Sequence, residues 1–189
     1  MIFSAGRLAV LAAAGCAVVA GCVRGGGSSP VPRPEAYPRI DLYPSFYRAV
    51  DLPDGRVIQV NDSAGVDVDA EGWVNISYPK YGVTVNCTLT RVSEATVGDV
   101  LSNRDERMAL NTGDTYGEVM RLGSRRGSSA IVFVAQGGSL TPVQFIATDS
   151  VSYVFSGAAV MESAVANADS VRPVVDAVAA DILYMLRSL

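Results

Sequence analysis

The chain has 189 residues, with 15 Lys and Arg against 19 Asp and Glu, a formal net charge of −4 and no histidine. The absence of histidine excludes Ser-His-Asp hydrolysis, Cys-His nucleophiles and most zinc sites. The acidic balance, with no basic stripe to neutralise phosphates, disfavours nucleic acid as a partner. We therefore predict no catalytic residues, no metal site and no cofactor.

The amino-terminal segment has the three parts of an export signal. Residues 1–7 carry one positive charge, residues 8–20 are apolar without a break, and the small residue Gly21 follows. This apolar run is shorter than the roughly 20 residues that a membrane-crossing helix needs. The pattern predicts a cleaved signal peptide over residues 1–21.

The tetrad Val-Ala-Gly-Cys at residues 19–22 resembles the lipobox of bacterial lipoproteins. It predicts cleavage between Gly21 and Cys22 and attachment of lipid, palmitate included, to Cys22. A second tetrad ends at Cys16 and has alanine where a branched apolar residue is preferred. The alternative is a soluble periplasmic protein in which Cys22 has no role.

Residues 22–36 are predicted to be a tether, because they are rich in glycine, serine and proline and contain almost nothing to bury. Residues 37–189 are long enough for a single domain with one core. Val23 is not the aspartate that is associated with inner-membrane retention in some bacteria. We therefore expect an anchor in the outer membrane, facing the periplasm.

Strands and turns follow in short alternation. Residues 73–78 and 83–90 read as two strands of a hairpin, joined by a turn that contains proline and glycine. Alternation places Cys87 on the apolar face of its strand, where it is predicted to be a buried core thiol. A helix is predicted over residues 97–110, with Thr96 as its N-cap and Asp99 three residues later.

The second half repeats the pattern of strands followed by a helix. Four strands are predicted at residues 117–122, 130–136, 143–148 and 153–161. A helix with a continuous apolar face begins near Ser170, with Pro173 in its first turn. This order indicates an α+β domain in which a mostly antiparallel sheet is covered by an amphipathic C-terminal helix. The order is similar to that of the Mog1/PsbP-like fold.

Three short motifs could carry chemistry, and each has a simpler interpretation. Residues 67–72 imitate the start of a calcium loop but lack its last carboxylate, so a solvated turn is favoured. Thr148, Asp149 and Ser150 could hold a nucleophile, although a turn in which Asp149 accepts backbone N–H groups explains them. Asp169 is interpreted as part of the cap of the last helix.

A fourth motif, Asp62-Ser63-Ala64, fits a short acceptor pattern for O-glycosylation in the periplasm of Bacteroidetes. Ser63 is therefore a candidate modification site. An intact mass equal to polypeptide plus lipid would exclude it.

Five segments, read in order, resemble the gliding motility lipoprotein GldD family of Bacteroidetes. The chain departs from the family pattern around Ser156, Val160 and Met161, which indicates a divergent member. The segments are EAYPRIDLYP (35–44), WVNISYPKYGVTVNCTL (73–89), VQFIATDS (143–150), SGAAV (156–160) and NADSVRPVVDAVAADI (167–182).

The resemblance implies a noncatalytic envelope protein that works with partners of a gliding apparatus linked to type IX secretion. The alternative is a periplasmic enzyme or small-ligand-binding protein with a pocket on the sheet. The resemblance also suggests an interaction surface, although turn or cap chemistry would explain the same residues. Its residues are Tyr37, Pro38, Arg39, Asp41, Tyr78, Pro79, Lys80, Thr148, Asp149, Ser150, Asn167 and Asp169.

Overall fold

The computed structural model describes residues 40–124, 126–162 and 168–189. The signal peptide, Cys22, the tether and the surface candidates Tyr37, Pro38, Arg39 and Asn167 lie outside these residues and stay predictions. The described helices are α1 (Val97–Thr112) and α2 (Ala168–Ser188). The described strands are β1 (Tyr47–Asp51), β2 (Val57–Asn61), β3 (Gly65–Val68), β4 (Trp73–Tyr78), β5 (Val83–Arg91), β6 (Gly117–Gly123), β7 (Ser129–Ala135), β8 (Val143–Thr148) and β9 (Tyr153–Met161).

Seven strands form one antiparallel sheet in the order β3-β4-β5-β9-β8-β7-β6, and β1 pairs with β2 in a separate hairpin. A short 3₁₀ turn at Pro79–Tyr81 joins β4 to β5. The predicted α+β class and the antiparallel sheet are confirmed. The central pair is β5 with β9, which are far apart in the chain.

Alternate residues of the central strands point to the inner face of the sheet, and this face is apolar because those residues are mostly apolar. Cys87 lies opposite Gly157, which in turn lies opposite Phe145. A Cβ atom at Gly157 would be 2.8 Å from the Phe145 ring and 2.9 Å from the carbonyl oxygen of Asn86, so only glycine fits there. Cys87 is 1% exposed, and burial raises the pKa of its thiol. The prediction of a buried core thiol is confirmed.

Helix α2 covers this inner face. Its residues at helical spacing join the core that the sheet supplies. The β1–β2 hairpin packs against the same helix, where the Tyr47 hydroxyl donates to Asp181 at 2.8 Å and the Gln59 N–H donates to Ser188 Oγ at 2.9 Å. The predicted C-terminal covering helix is confirmed. Its buried residues are Val174, Val175, Val178, Ala179, Ile182, Met185 and Leu186.

The predicted side-chain cap of α1 is wrong. Thr96 does not cap α1 with its side chain, because its Oγ1 accepts the Ser93 N–H at 3.0 Å instead. Helix α2 spans Ala168–Ser188 with Asp169 in its first turn, and the capping role of Asp169 stays a prediction. Pro173 is consequently the sixth residue of the helix, in its second turn, where it cannot donate the usual backbone hydrogen bond.

A matched pair of leucines tests the importance of α2 for stability. Leu186 of α2 is 3% exposed and Leu110 of α1 is 76% exposed. We expect Leu186→Ala to lower the free energy of unfolding by about 2–5 kcal/mol, since it leaves a cavity in the core. Leu110→Ala should change it by less than about 0.5 kcal/mol. Urea unfolding of both purified variants measures the difference, and equal midpoints would contradict the packing described here.

Candidate functional site

The outer face of the sheet, opposite α2, is polar at its centre. Two rows cross β5, β9 and β8 there: the first runs from Asn86 through Ala158 to Gln144, and the second from Thr88 through Ser156 to Ile146. Alternation along each strand places these side chains away from the apolar core. The outer face can therefore offer hydrogen bonds that the inner face cannot.

Helix α1 lies over these two rows, against β8 and β9. None of its residues is fully buried. A cavity of about 140 Å³ lies between helix and sheet, and none of its lining residues is acidic. The helix contributes Arg104, Arg107, Met108 and Asn111 to the lining.

Hydrogen bonds between polar groups connect α1 to the surrounding strands and loops. The Arg104 guanidinium donates through Nη2 to Thr90 Oγ1 at 3.2 Å, near the end of β5. Gln144, only 2% exposed, donates through Nε2 to Thr112 Oγ1 at 3.1 Å. Thr141 Oγ1 donates to the Asn111 carbonyl at 3.4 Å. The position of α1 thus depends on these polar contacts more than on apolar burial.

The charge in the cavity is positive. Arg104 Nε is buried and has no hydrogen-bond partner among the described residues. Burial, and then the neighbouring positive charge of Arg107, lower the pKa of the Arg104 guanidinium. Neither arginine belongs to an ion pair within the part of the chain that the structure describes. Two cations therefore meet here without a carboxylate to balance them.

Asp149 is held as the centre of the β8–β9 turn, which confirms the simpler interpretation of this motif. Its Oδ1 accepts the N–H groups of Val151, Ser152 and Tyr153 at 2.8–3.2 Å, and Oδ2 accepts the Ser152 hydroxyl at 2.5 Å. Burial acts to raise the pKa of Asp149, but these hydrogen bonds outweigh it and hold the pKa well below its usual range. The carboxylate is thus occupied by structural contacts and is not placed as a base.

Two residues of the suggested interaction surface are buried, which corrects their assignment. Tyr78 is 2% exposed, and burial raises the pKa of its hydroxyl. Thr148 is 7% exposed, and its hydroxyl donates to the Tyr153 carbonyl at 2.6 Å. Both side chains point away from solvent because their strand positions face the interior or a closed turn.

The other described candidates are split between the two ends of the sheet. Pro79 and Lys80 are exposed before the start of β5, whereas Asp149 and Ser150 follow β8, beside the end of β5. Since β5 has nine residues that rise about 3.3 Å each, these ends lie roughly 26 Å apart. They do not form one patch. Asp41, Asp169 and Ser63 are exposed, and their proposed roles stay predictions.

The calcium-like segment is a turn, as predicted. Asp69 Oδ1 accepts the N–H groups of Glu71 and Trp73, both at 2.9 Å. Asp67 is a strand residue opposite Asn75. Among the described residues, no group of three or more His, Cys, Asp or Glu is arranged to hold a metal ion.

Sequence reasoning did not identify Arg104 and Arg107 as site residues. The signal for them was present, because Arg104 falls within the apolar stripe formed by Val97, Leu101 and Met108. An arginine inside such a stripe faces the sheet rather than solvent. With Arg107 three residues later, the same helix face carries two positive charges.

The Asp149 turn predicts a pH-dependent stability. The pKa of Asp149 is lower in the folded than in the unfolded protein. Its contribution to the free energy of unfolding is therefore complete above the unfolded-state pKa of about 3.9 and is lost as the pH falls through the folded-state pKa. Asp149→Asn should therefore lower the unfolding free energy by about 1–3 kcal/mol at pH 7, and the deficit should shrink below about pH 4. Asp176→Asn, in an exposed helical ion pair, is the control. Denaturation of both variants from pH 3 to 7 measures the deficit, and one that does not change with pH would contradict the assignment.

Comparison with known proteins gives one match. A family profile described as "Gliding motility lipoprotein GldD" matches residues 27–189. No curated protein and no solved structure matches the chain, so the similarity to the Mog1/PsbP-like fold stays a prediction. Among the described helices, none is both long and apolar enough to cross a membrane. Since the match covers most of the length of this chain, the chain belongs to the gliding motility lipoprotein GldD family.

Proposed function

We propose that this protein is a noncatalytic, lipid-anchored accessory component of the cell envelope, which holds another protein of a gliding apparatus linked to type IX secretion. The family match over residues 27–189 carries the proposal, since membership associates the chain with gliding motility. The position of Asp149 is consistent with it, because hydrogen bonds occupy the carboxylate that was the leading catalytic candidate.

The proposed anchor is lipid on Cys22. A lipid chain contributes about 0.8 kcal/mol per buried methylene, so several chains hold a protein at a membrane without any spanning helix. The tether over residues 22–36 would let the folded part reach a partner away from the lipid surface. We assign the anchor to the periplasmic face of the outer membrane.

Replacing the lipidated cysteine tests the anchor. Cys22→Ala should move the protein out of the outer-membrane fraction, either as a soluble form or as an unprocessed precursor, because no sulfur is available for the lipid. Cys16→Ala is the matched control and should leave the distribution unchanged. Fractionation with immunoblotting measures both, and an unchanged membrane fraction for Cys22→Ala would exclude the anchor.

The surface that best suits a protein partner lies at the β6 edge of the sheet. Strand β6 is the last strand in the sheet order, so one side of its backbone has no neighbouring strand among the described residues. Four large apolar side chains on adjoining segments are 53–86% exposed, and exposed apolar clusters of this kind mark contact sites. We call this the β6 edge surface; it comprises Leu110, Tyr116, Val119 and Leu140.

Hydrogen bonds connect these segments to one another. The Gln136 N–H donates to the Tyr116 carbonyl at 2.8 Å, which extends the pairing of β6 with β7. The α1 end that carries Leu110 is joined to the β7–β8 loop through Thr141 and Asn111. An extended segment of the partner could add to β6 through main-chain hydrogen bonds and cover the apolar side chains at the same time.

Crosslinking in living cells tests this docking site. A photo-crosslinking residue at Val119 should capture one envelope protein of the gliding apparatus, because Val119 is 57% exposed on the free edge strand. The same residue at Asp67, exposed on the opposite edge strand β3, is the control and should capture much less of that protein. No envelope partner at Val119, or equal capture at both edges, would contradict the proposal.

A further inference from the structure

The cavity between α1 and the outer face of the sheet has the chemistry of an anion site. It places the guanidinium groups of Arg104 and Arg107 in one space with the amide and hydroxyl groups of Asn86, Asn111 and Ser156. None of its lining residues is acidic. In a chain of net charge −4, a site of local positive charge is not a consequence of overall composition.

Arg104 is a partly buried cation whose hydrogen-bonding capacity the described contacts do not use in full. A guanidinium has five N–H donors, and the described contacts of Arg104 use Nη2 for Thr90. Its Nε is buried without a partner. Leaving a buried donor unsatisfied is unfavourable, and the proximity of a second cation adds to the cost. An anion in the cavity would offset both positive charges and accept hydrogen bonds from guanidinium N–H groups that line it.

The size of the cavity limits the ligand. A volume of about 140 Å³ holds several water molecules or a small polyatomic anion, and is below the roughly 300–1,000 Å³ of pockets for drug-sized molecules. A paired guanidinium site prefers planar carboxylate or tetrahedral phosphate oxygens, which it can bind in bidentate geometry. The small side chain of Ala158, in the outer-face row with Asn86 and Gln144, leaves room for these oxygens above the sheet.

We propose that this cavity binds a small oxyanion, the carboxylate or phosphate group of a small molecule, with Arg104 and Arg107 as its principal ligands and Asn86, Asn111 and Ser156 as further hydrogen-bonding residues. The site has different lining residues from the β6 edge surface and does not require the proposed accessory role. A partner protein could be absent and the anion would still bind.

The test uses the purified protein with four probes: inorganic phosphate, sulfate, acetate and succinate, each at constant ionic strength set with chloride. Calorimetric titration should give saturable binding of at least one probe with one site per chain. The protein has one tryptophan, Trp73, which lies opposite Thr88 in the sheet, and Thr88 lines the cavity. Binding should therefore also change tryptophan fluorescence with the same midpoint.

Two variants and one control decide whether the arginines hold the ligand. Arg104→Met and Arg107→Met should each weaken binding at least tenfold, because each removes a guanidinium. Arg187→Met replaces an exposed arginine on α2, and its affinity for the probe should stay within twofold of that of the unsubstituted protein. Arg107 is exposed and makes no described hydrogen bond, so Arg107→Met should fold normally. If Arg104→Met fails to fold, the affinity of Arg107→Met shows whether the cavity arginines bind the ligand.

The probes also separate the sources of the anion. Preference for phosphate and sulfate indicates a phosphate-bearing ligand, and preference for succinate or acetate indicates a carboxylate; either result supports the site. The proposal is overturned if no probe binds saturably below about 10 mM, or if Arg187→Met weakens binding as much as the cavity variants.

Discussion

The packing of α2 against the inner face of the seven-stranded sheet is the interaction on which the rest of this structure depends. It buries one face of the central strands completely, with Val85, Phe155 and Ala159 at 0% exposure. A strand that slipped by one residue would turn those side chains to the opposite face, so this burial also fixes the register. The inner core determines the register of the strands, and this register sets the positions of the side chains on the outer face, including the two rows under α1.

The two helices therefore have different physical roles. Helix α2 has a deep apolar contact, while α1 has no fully buried residue and is held through Thr90, Gln144 and Thr141. A helix held by a few polar contacts opens at a lower free energy than one that closes a core. The same feature leaves room for the cavity, because polar side chains and small residues on the sheet do not fill the space that an apolar interface would fill.

The sequence was sufficient to predict which residues face the core, but not which strands are neighbours. Alternation identified Cys87 and its strand correctly, since a period of two is a local property. The pairing of β5 with β9 was not predictable in this way, because α1 and three strands separate them along the chain. The start of α1 at Val97 was predicted correctly, but the side-chain cap was not, because Thr96 turns its hydroxyl back to Ser93, and α2 extends to Ala168 rather than Ser170. These details depend on competing local hydrogen bonds of similar strength.

The cavity and the β6 edge surface share one element, the last turn of α1, where Leu110 belongs to the surface and the next residue, Asn111, lines the cavity. An anion bound by Arg107 and Asn111 would restrain this turn against the sheet. If a partner that contacts Leu110 binds one position of the turn more tightly than another, this restraint would change partner affinity, and the partner would change anion affinity by the same factor. With both proposed sites occupied, this weakly buried helix would couple small-molecule binding to protein docking without a change in the core beneath.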